Sequence, residues 1–374
     1  MRALIQALQF KDSKRLYLGG GFMKNLFDQT KINEITVKNR LFRAATWENL
    51  ADEQGCPTTD LLKVYEELAA GGVGTIITGY AHVLADEQPN PGMLGIYDDF
   101  LIAHHLPLVE VAHRHHARII LQVAYGGSMT DYQVGSREIW GPSAVPQKRT
   151  GVVPTEMTAA NIQTLIGACA AAGQRAQAAG YDGVEIHAAH GYLLSQFLSP
   201  YYNQRTDAYG GSRENRARLI VEVYEAMRNA VGPQFAIFIK VNCSDFDEEG
   251  ATFDDCQYLC QELDRRSIDG VEISGGLSPW DMNASREGVF GEYAAQIAKL
   301  IKAPVIVVGV NRDPQAMQET LDTTNIQYFS LSRPLLREPN LVQRWESGDK
   351  TEARCIYCCK CFSTIGNRCI FVKG

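Results

Sequence analysis

Eight short apolar segments, rich in β-branched residues, alternate with longer helical patterns along most of this chain. Each apolar core is continuous rather than alternating, which is typical of strands buried on both faces of a parallel sheet. The segments span residues 41–46, 74–80, 118–126, 183–190, 235–242, 270–276, 304–310 and 326–332. This repeated alternation predicts an α/β fold, a single-domain (β/α)8 TIM barrel. A doubly wound sheet is less consistent, because no Gly-x-Gly-x-x-Gly turn follows the first strand.

Composition narrows the function classes. The 374 residues are 45% hydrophobic and 21% charged, as in ordinary globular proteins, and the net charge is −7. This acidic balance, without a basic–aromatic stripe, argues against a nucleic-acid partner. Since no apolar run reaches membrane-spanning length and the start lacks a secretion signal, we expect a cytoplasmic protein without a membrane partner. Small molecules remain as partners, and a homo-oligomer is compatible with the sequence.

The chain is predicted to contain three parts. Residues 1–23 form an N-terminal extension, residues 24–345 form the barrel, and residues 346–374 form a cysteine-rich tail. Because the catalytic residues of such barrels lie where strands end and enter the following loops, polar residues at the carboxyl ends of strands are the candidates for function.

The end of the fourth strand carries His187-x-x-His190-x-Tyr192. Neutral imidazoles can donate hydrogen bonds to a developing oxyanion, and a phenol can donate a proton. A metal-dependent hydrolase or lyase is an alternative, because Glu185 shares a strand face with His187 and zinc takes such ligands. The third interpretation is a pair of structural histidines. Spacing alone leaves these three interpretations open.

The remaining histidines give weaker signals. His82 follows the second strand and has no evident partner in the sequence. The other five fall in one amphipathic pattern and are predicted to lie on a solvated helix face; they are His104, His105, His113, His115 and His116.

Two further groups of residues suggest a ligand with a phosphate and a polar ring. Gly309 ends the seventh strand, and Ser332 with Arg333 ends the eighth, where barrels commonly bind phosphate. Gln122 and Lys240 interrupt apolar strands, so each needs a polar partner inside the barrel or at its mouth.

Five of the ten cysteines lie within fifteen residues of the tail, as Cys355-x-x-Cys358-Cys359-x-Cys361-x7-Cys369. Thiolates at Cys-x-x-Cys spacing are typical of zinc or iron–sulfur ligands. A reduced tail without metal is the alternative. We predict no metal here, with Cys355, Cys358, Cys361 and Cys369 as the candidate ligands should one bind.

The segment "IHAAHGYLLSQFLSPYYNQRTDAYGGSRENRARL" resembles the signature of the Old Yellow Enzyme family, the NAD(P)H:flavin oxidoreductases. "KNRLFRAAT", "GPSAV", "PTEMT" and "SLSRPLLREPNLVQRW" extend the resemblance over roughly residues 24–345. It implies an enzyme with a single (β/α)8 barrel that binds FMN at its mouth and takes NADH or NADPH as a transient reductant. The implied reaction is ping-pong reduction of activated C=C bonds by hydride transfer through flavin N5, with enones as substrates and nitro compounds or quinones as further candidates.

The resemblance also implies roles for individual residues. His187 and His190 correspond to the pair that binds the substrate oxygen, and Tyr192 corresponds to the proton donor. Trp47 and Tyr125 correspond to substrate-contacting positions. The implied FMN contacts are Ala45, Thr46, Gly79, Gln122, Lys240, Gly309, Ser332 and Arg333.

Some positions depart from the common family pattern. Trp47 stands where many members have Thr or Cys, Tyr125 where His is frequent, and Ser332 where Gly is usual. The tail resembles the four-cysteine iron–sulfur motif of dienoyl-CoA reductases, but its cysteines are more closely spaced. A 2,4-dienoyl-CoA-reductase-like enzyme with an iron–sulfur tail is therefore a second alternative. An interaction module built on zinc in the tail is a third.

Overall fold

The computed structural model describes residues 24–276 and 287–372, so the predicted extension at residues 1–23 lies outside the described residues. Eight parallel strands close into a barrel, which confirms the predicted fold. Each strand pairs with the next along the chain, and the eighth pairs with the first. The strands are β1 (Leu41–Arg43), β2 (Thr75–Ile77), β3 (Arg118–Ala124), β4 (Gly183–Ala188), β5 (Ala236–Asn242), β6 (Gly270–Ser274), β7 (Val305–Val308) and β8 (Tyr328–Leu331).

Helices surround the barrel. In the described ranges they are α1 (Thr59–Ala70), α2 (Phe100–Arg114), α3 (Ala159–Ala178), α4 (Leu193–Leu198), α5 (Arg213–Val231), α6 (Phe253–Arg265), α7 (Gly291–Leu300), α8 (Pro314–Thr323), α9 (Arg333–Arg337) and α10 (Leu341–Glu346). Local sequence explains several of their starts. Thr158 with Asn161 and Thr252 with Asp255 form capping boxes that satisfy the first backbone N–H groups of α3 and α6.

Side chains alternate between the two faces of each barrel strand. In β4, Val184 and Ile186 face outward into the main hydrophobic core, whereas Glu185 and His187 face the barrel interior. The interior is apolar at its lower, amino-terminal end and polar above, so a ligand can reach polar side chains only from the carboxyl ends of the strands.

A short hairpin closes the lower end of the barrel. Strands Thr30–Ile32 and Ile35–Val37 pair antiparallel, and their apolar residues are buried against the lower interior of the barrel. Burial of each such side chain contributes roughly 1.5–3 kcal/mol to folding. The opposite, carboxyl-terminal end is therefore the open one.

Two pairs of short strands and two 3-10 turns complete the fold. Ala81–His82 pairs with Leu94–Gly95, and Trp140–Gly141 pairs with Thr155–Glu156, all in loops after β2 and β3. Two 3-10 turns, Lys360–Ser363 and Ile365–Asn367, lie in the tail. No helix in the described part of the chain is long and apolar enough to cross a bilayer.

The described part of the cysteine-rich tail lies against the barrel. The Ala353 N–H donates to the Arg312 carbonyl at 2.8 Å, and the Asn367 side chain donates to the Trp47 carbonyl at 2.5 Å. These contacts bring the tail to the carboxyl ends of β1 and β7, beside the open end of the barrel.

Candidate active site

A cavity of about 360 Å³ opens at the carboxyl ends of the barrel strands. Its wall includes every predicted site residue except Gly79 and Tyr125. Those brought together are Ala45, Thr46, Trp47, Gln122, His187, His190, Tyr192, Lys240, Gly309, Ser332 and Arg333. The volume lies within the usual range of small-molecule sites.

The two histidines stand side by side, with ring centroids 5.3 Å apart. His187 ends β4 facing inward, whereas His190 follows the strand in the left-handed backbone region, at φ 59°. Asn242 accepts the His190 backbone N–H at 3.1 Å, and the His190 Nε2 atom lies 2.7 Å from the Ser274 hydroxyl. A non-glycine residue in this backbone region is strained, so the surrounding bonds hold His190 in a conformation that it would not adopt freely.

Burial keeps both imidazoles neutral. Burial, with the neighbouring His190 and Lys240 charges, lowers the pKa of His187 well below its usual range, and burial with Lys240 lowers the pKa of His190 to about 3. The buried Nδ1 atom of His187 has no hydrogen-bond partner among the described residues. Such an orphaned polar atom beside a cavity is a ready partner for a ligand.

We expect the affinity of the protein for 4-methylphenol to be nearly constant between pH 5 and pH 8. The pKa of His190 is lowered to about 3 and that of His187 lies well below its usual range, so both imidazoles stay neutral between pH 5 and pH 8. The phenol also stays neutral over this range. Calorimetric titration of the FMN-loaded protein at each pH measures this affinity. A tenfold change centred near pH 6.5 would show that a histidine of the pair titrates normally.

Tyr192 lies in a cluster of polar side chains next to the histidines. Its hydroxyl donates to the Tyr80 hydroxyl at 3.1 Å, and the Asn90 side-chain amide donates to Tyr80 at 2.7 Å and to Tyr192 at 3.3 Å. The Tyr192 and His187 rings are 4.8 Å apart. Burial raises the pKa of Tyr192, so the phenol keeps its proton at neutral pH and can act as a proton donor.

Gln122 and Lys240 form the polar floor of the cavity. The Gln122 side-chain amide donates to Glu185 at 2.6 Å, which leaves its carbonyl oxygen as an acceptor for a ligand. The Lys240 ammonium lies 3.2 Å from a Glu272 oxygen. Burial and the adjacent Glu272 carboxyl raise the pKa of Glu185 well above its usual range. One neutral amide, from Gln122, and one paired cation, Lys240, thus face the cavity.

The other side of the cavity is formed by the ends of β1, β7 and β8. The Thr46 and Ser332 hydroxyls are 2.8 Å apart, and Gly309 has a φ of 111°, which a side chain rarely allows. Arg333 donates to the Cys359 sulfur at 2.9 Å, and its guanidinium lies 4.4 Å from the centre of the Tyr357 ring. The tail therefore contacts the arginine that the sequence proposed for a phosphate.

Two predicted site residues lie away from the cavity wall. Gly79 donates its N–H to the Tyr65 hydroxyl at 2.9 Å, and a side chain there would collide with Glu48. Tyr125 is buried and stacks on Trp140 with ring centroids 5.7 Å apart. Their proposed ligand contacts stay predictions.

The predicted solvated face of five histidines was wrong for His105. It is fully buried, and its ring nitrogens lie 2.7 Å from the Tyr181 hydroxyl and 2.9 Å from the Gly95 carbonyl. His115 and His116 follow the helix, which ends at Arg114. His82, without an evident partner in the sequence, is also buried and lies 2.8 Å from the Leu84 carbonyl.

Two sequence-based hypotheses placed a metal ion, one at His187 and His190 and the other at the tail cysteines. In the part of the chain that the structure describes, neither group forms a set of metal ligands. There, no three His, Cys, Asp or Glu side chains are grouped so that they could hold one ion. Glu185, the third ligand of the histidine alternative, is engaged by Gln122 instead. The tail cysteines are likewise not grouped as metal ligands.

Sequence reasoning missed several cavity residues. Tyr80 and Ser274 stand at the ends of strands, a signal that could have identified them, whereas Asn90 and Arg149 lie inside long loops. The other missed members of the wall with sulfur-containing or aromatic side chains are Met129, Phe290, Cys359 and Phe362. Loop and tail residues reach the cavity only through tertiary contacts.

The residues present fit FMN, the cofactor that the resemblance implies. A flavin ring has both donors and acceptors along its pyrimidine edge, which matches the free Gln122 carbonyl and the Lys240 ammonium. Its phosphate matches the forked guanidinium of Arg333. The orphaned Nδ1 atom belongs to His187, which lines the same cavity, so it is available to a second ligand there.

Comparisons with known proteins indicate the same cofactor. The sequence model of the NADH:flavin oxidoreductase / NADH oxidase family matches residues 25–352. The match ends before Cys355, the first cysteine of the tail. The NADPH dehydrogenase of Geobacillus sp. strain WCH70 is 31% identical over 320 residues, covering 84% of this chain and 91% of that protein.

Longer relatives also match. The NADH oxidase of Thermoanaerobacter brockii is 32% identical over 343 residues, which cover 89% of this chain and 52% of that protein. The structure of a 2-naphthoyl-CoA reductase with 2-naphthoyl-CoA superposes with a TM-score of 0.85 at 26% identity, covering 90% of this chain and 54% of that one. The chain thus spans about half the length of these two relatives. With the model match and the barrel, these likenesses establish that the chain belongs to the NADH:flavin oxidoreductase / NADH oxidase family, whose cofactors are FMN and NAD(P)H.

Proposed function

We propose that the protein is an NAD(P)H-dependent FMN enzyme that reduces the C=C bond of activated alkenes such as enones. The observation that carries the proposal is the placement of two neutral imidazoles and one protonated phenol around a single cavity. A reduction of this kind needs donors for the oxygen that gains charge and a proton for one carbon of the double bond.

The histidine pair binds and polarises the substrate oxygen. Because His187 and His190 are neutral, each presents a fixed N–H donor rather than a cation, and negative charge that grows on the substrate oxygen is stabilised without reorganisation. The bonds from Asn242 and Ser274 hold His190 in place for this role. Bound FMN supplies hydride, which it first accepts from NADH or NADPH.

Tyr192 supplies the proton. Its buried hydroxyl holds that proton next to His187, at the same end of the cavity as Tyr80 and Asn90. Since the Tyr80 and Asn90 contacts fix the phenol oxygen, Tyr192 needs little rearrangement to protonate the substrate α-carbon. Cys359 and Phe362 of the tail form part of the wall of the same cavity.

Anaerobic mixing tests the proposed reaction. NADH or NADPH should bleach the absorption band of oxidised flavin in the FMN-loaded protein, and cyclohex-2-enone should restore this band. Cyclohexanone is the matched control, since it has the carbonyl but no activated double bond, and it should restore nothing. Failure of both nucleotides to bleach the flavin, or equal reoxidation by the enone and the saturated ketone, would contradict the proposal.

A further inference from the structure

The cavity wall carries three cationic side chains and, among the described residues, no carboxylate. The three are Lys240, Arg333 and Arg149. Lys240 is paired with Glu272 and faces the proposed flavin ring, and Arg333 faces the proposed phosphate. Arg149 has no role in the proposed reaction. A cation at the wall of a ligand site without an assigned counter-charge points to an anion that the ligand itself brings.

Arg149 lies on the opposite side of the barrel mouth from Arg333. It belongs to the loop between β3 and α3 and is close enough to act on Tyr192, which follows β4, whereas Arg333 follows β8. β4 and β8 face each other across the ring of eight strands. Arg149 is near the proposed proton donor: its charge acts to lower the pKa of Tyr192, although burial raises that pKa overall. One phosphate cannot therefore satisfy both arginines.

The loop holds the backbone of Arg149 in a fixed position. The buried Gln147 side chain accepts the Arg149 N–H at 2.5 Å and the Thr150 N–H at 2.7 Å. The Thr150 hydroxyl donates to the Ser128 carbonyl at 2.8 Å. The exposed guanidinium, by contrast, makes no hydrogen bond or ion pair within residues 24–276 and 287–372. The fixed backbone lowers the entropic cost of binding an anion, and the unpaired guanidinium is available to bind it without first breaking a protein contact.

The neighbouring Lys148, unlike Arg149, is paired with carboxylates of the protein. The Lys148 ammonium lies 2.7 Å from an Asp247 oxygen and 3.1 Å from a Glu249 oxygen, and 4.0 Å from the centre of the Tyr201 ring. Lys148 is not part of the cavity wall. Of these two neighbouring cations, Arg149 is the one that faces the cavity, and it has no counter-charge among the residues that the structure describes.

We propose that Arg149 binds an anionic group, a carboxylate or a phosphate, on the ligand that lies next to His187 and Tyr192. The inference rests on the proposed function and makes it narrower: carboxylate-bearing alkenes are favoured over neutral ones. The planar guanidinium suits both anions, since each can accept two parallel N–H bonds. The same chemistry has a second source in the diphosphate of NAD(P)H, which the experiment separates.

Calorimetric titration of the full, FMN-loaded protein tests the inference without turnover. The probes are 4-hydroxybenzoate and its methyl ester, which share a phenol and differ by one charge, together with tetrahydro-NADH, which binds without transferring hydride. The variants are Arg149→Gln and, as the matched control, Lys148→Gln. Each variant removes one cation from the same loop.

The measured quantity is the Kd of the ester divided by the Kd of the acid. We expect Arg149→Gln to lower this ratio about fivefold to tenfold, between the effect of an exposed ion pair and that of a charge-assisted hydrogen bond. Lys148→Gln should leave the ratio unchanged, and added salt should lower it in the wild type. A fall in tetrahydro-NADH affinity alone would support the anion site and assign it to the nucleotide diphosphate.

An unchanged ratio and unchanged tetrahydro-NADH affinity in Arg149→Gln would overturn the inference and leave the proposed function standing. Equal effects of Arg149→Gln and Lys148→Gln would also overturn it, because the effect would then come from the net charge of the loop. If neither phenol binds the wild-type protein, the proposed function and this inference both fail.

Discussion

Replacement of Tyr192 by Phe is expected to slow alkene reduction roughly 10²–10⁴-fold, the usual contribution of a positioned general acid. The substitution removes one hydroxyl and keeps the ring, so the packing against His187 is retained. Flavin reduction by NADH or NADPH should stay nearly unchanged, since that half-reaction needs no proton from this side chain. Stopped-flow measurement of each half-reaction separately gives the two rates.

Tyr80→Phe is the matched comparison, because Tyr80 is the second buried phenol of the same cavity and hydrogen-bonds to Tyr192. It should slow alkene reduction much less than Tyr192→Phe, through looser positioning of the Tyr192 hydroxyl. A larger effect of Tyr80→Phe would assign proton donation to Tyr80. Equal loss of both half-reactions in Tyr192→Phe would mean that the residue has no specific role in proton transfer.

The double substitution His187→Ala/His190→Ala should lower kcat/KM for enones by at least about 10³-fold. Each fixed donor to a growing oxyanion is typically worth about 2.7–4 kcal/mol, and removal of both also leaves the ligand oxygen without a partner. Binding of 4-methylphenol should be lost, while FMN stays bound through Gln122, Lys240 and Arg333. Steady-state kinetics, calorimetry and the visible spectrum report these three properties.

His187→Asn/His190→Asn is the control for this pair. Asparagine keeps a neutral N–H donor in a smaller side chain, so part of the phenol affinity should return. No difference between the Ala and Asn pairs would argue against hydrogen bonding as their role. Loss of FMN from the Ala pair would instead show that the two histidines are structural residues that support the fold of the site.

The barrel could be predicted from the sequence because its strands are buried on both faces and read as continuous apolar segments. Their ends were less predictable. The first segment was expected to run to Thr46, whereas β1 ends at Arg43, and Ala44, Ala45 and Thr46 leave the sheet to line the cavity. Residues at the mouth of a barrel are selected by their ligand rather than by strand pairing, so propensity overestimates the strand there.

The site could be predicted only where its residues end strands or match the family signature. His187, Lys240 and Ser332 meet this condition. Arg149 and Cys359 do not, since each comes from a loop or the tail and reaches the cavity through contacts formed after folding. The prediction for His105 was wrong for another reason. A helical pattern shows which residues share a face, but not that a polar residue on the buried face has hydrogen-bond partners there. For His105 these partners are Tyr181 and Gly95.

The central claim is that the barrel mouth binds FMN beneath the histidine pair. Titration of FMN fluorescence with flavin-free protein, followed by gel filtration and a visible spectrum, tests it directly. We predict saturable quenching and retention of one yellow chromophore per chain, with weaker retention when Lys240 is replaced by Met or Arg333 by Gln. A folded protein that leaves FMN fluorescence unchanged and elutes colourless after prolonged incubation would contradict the account.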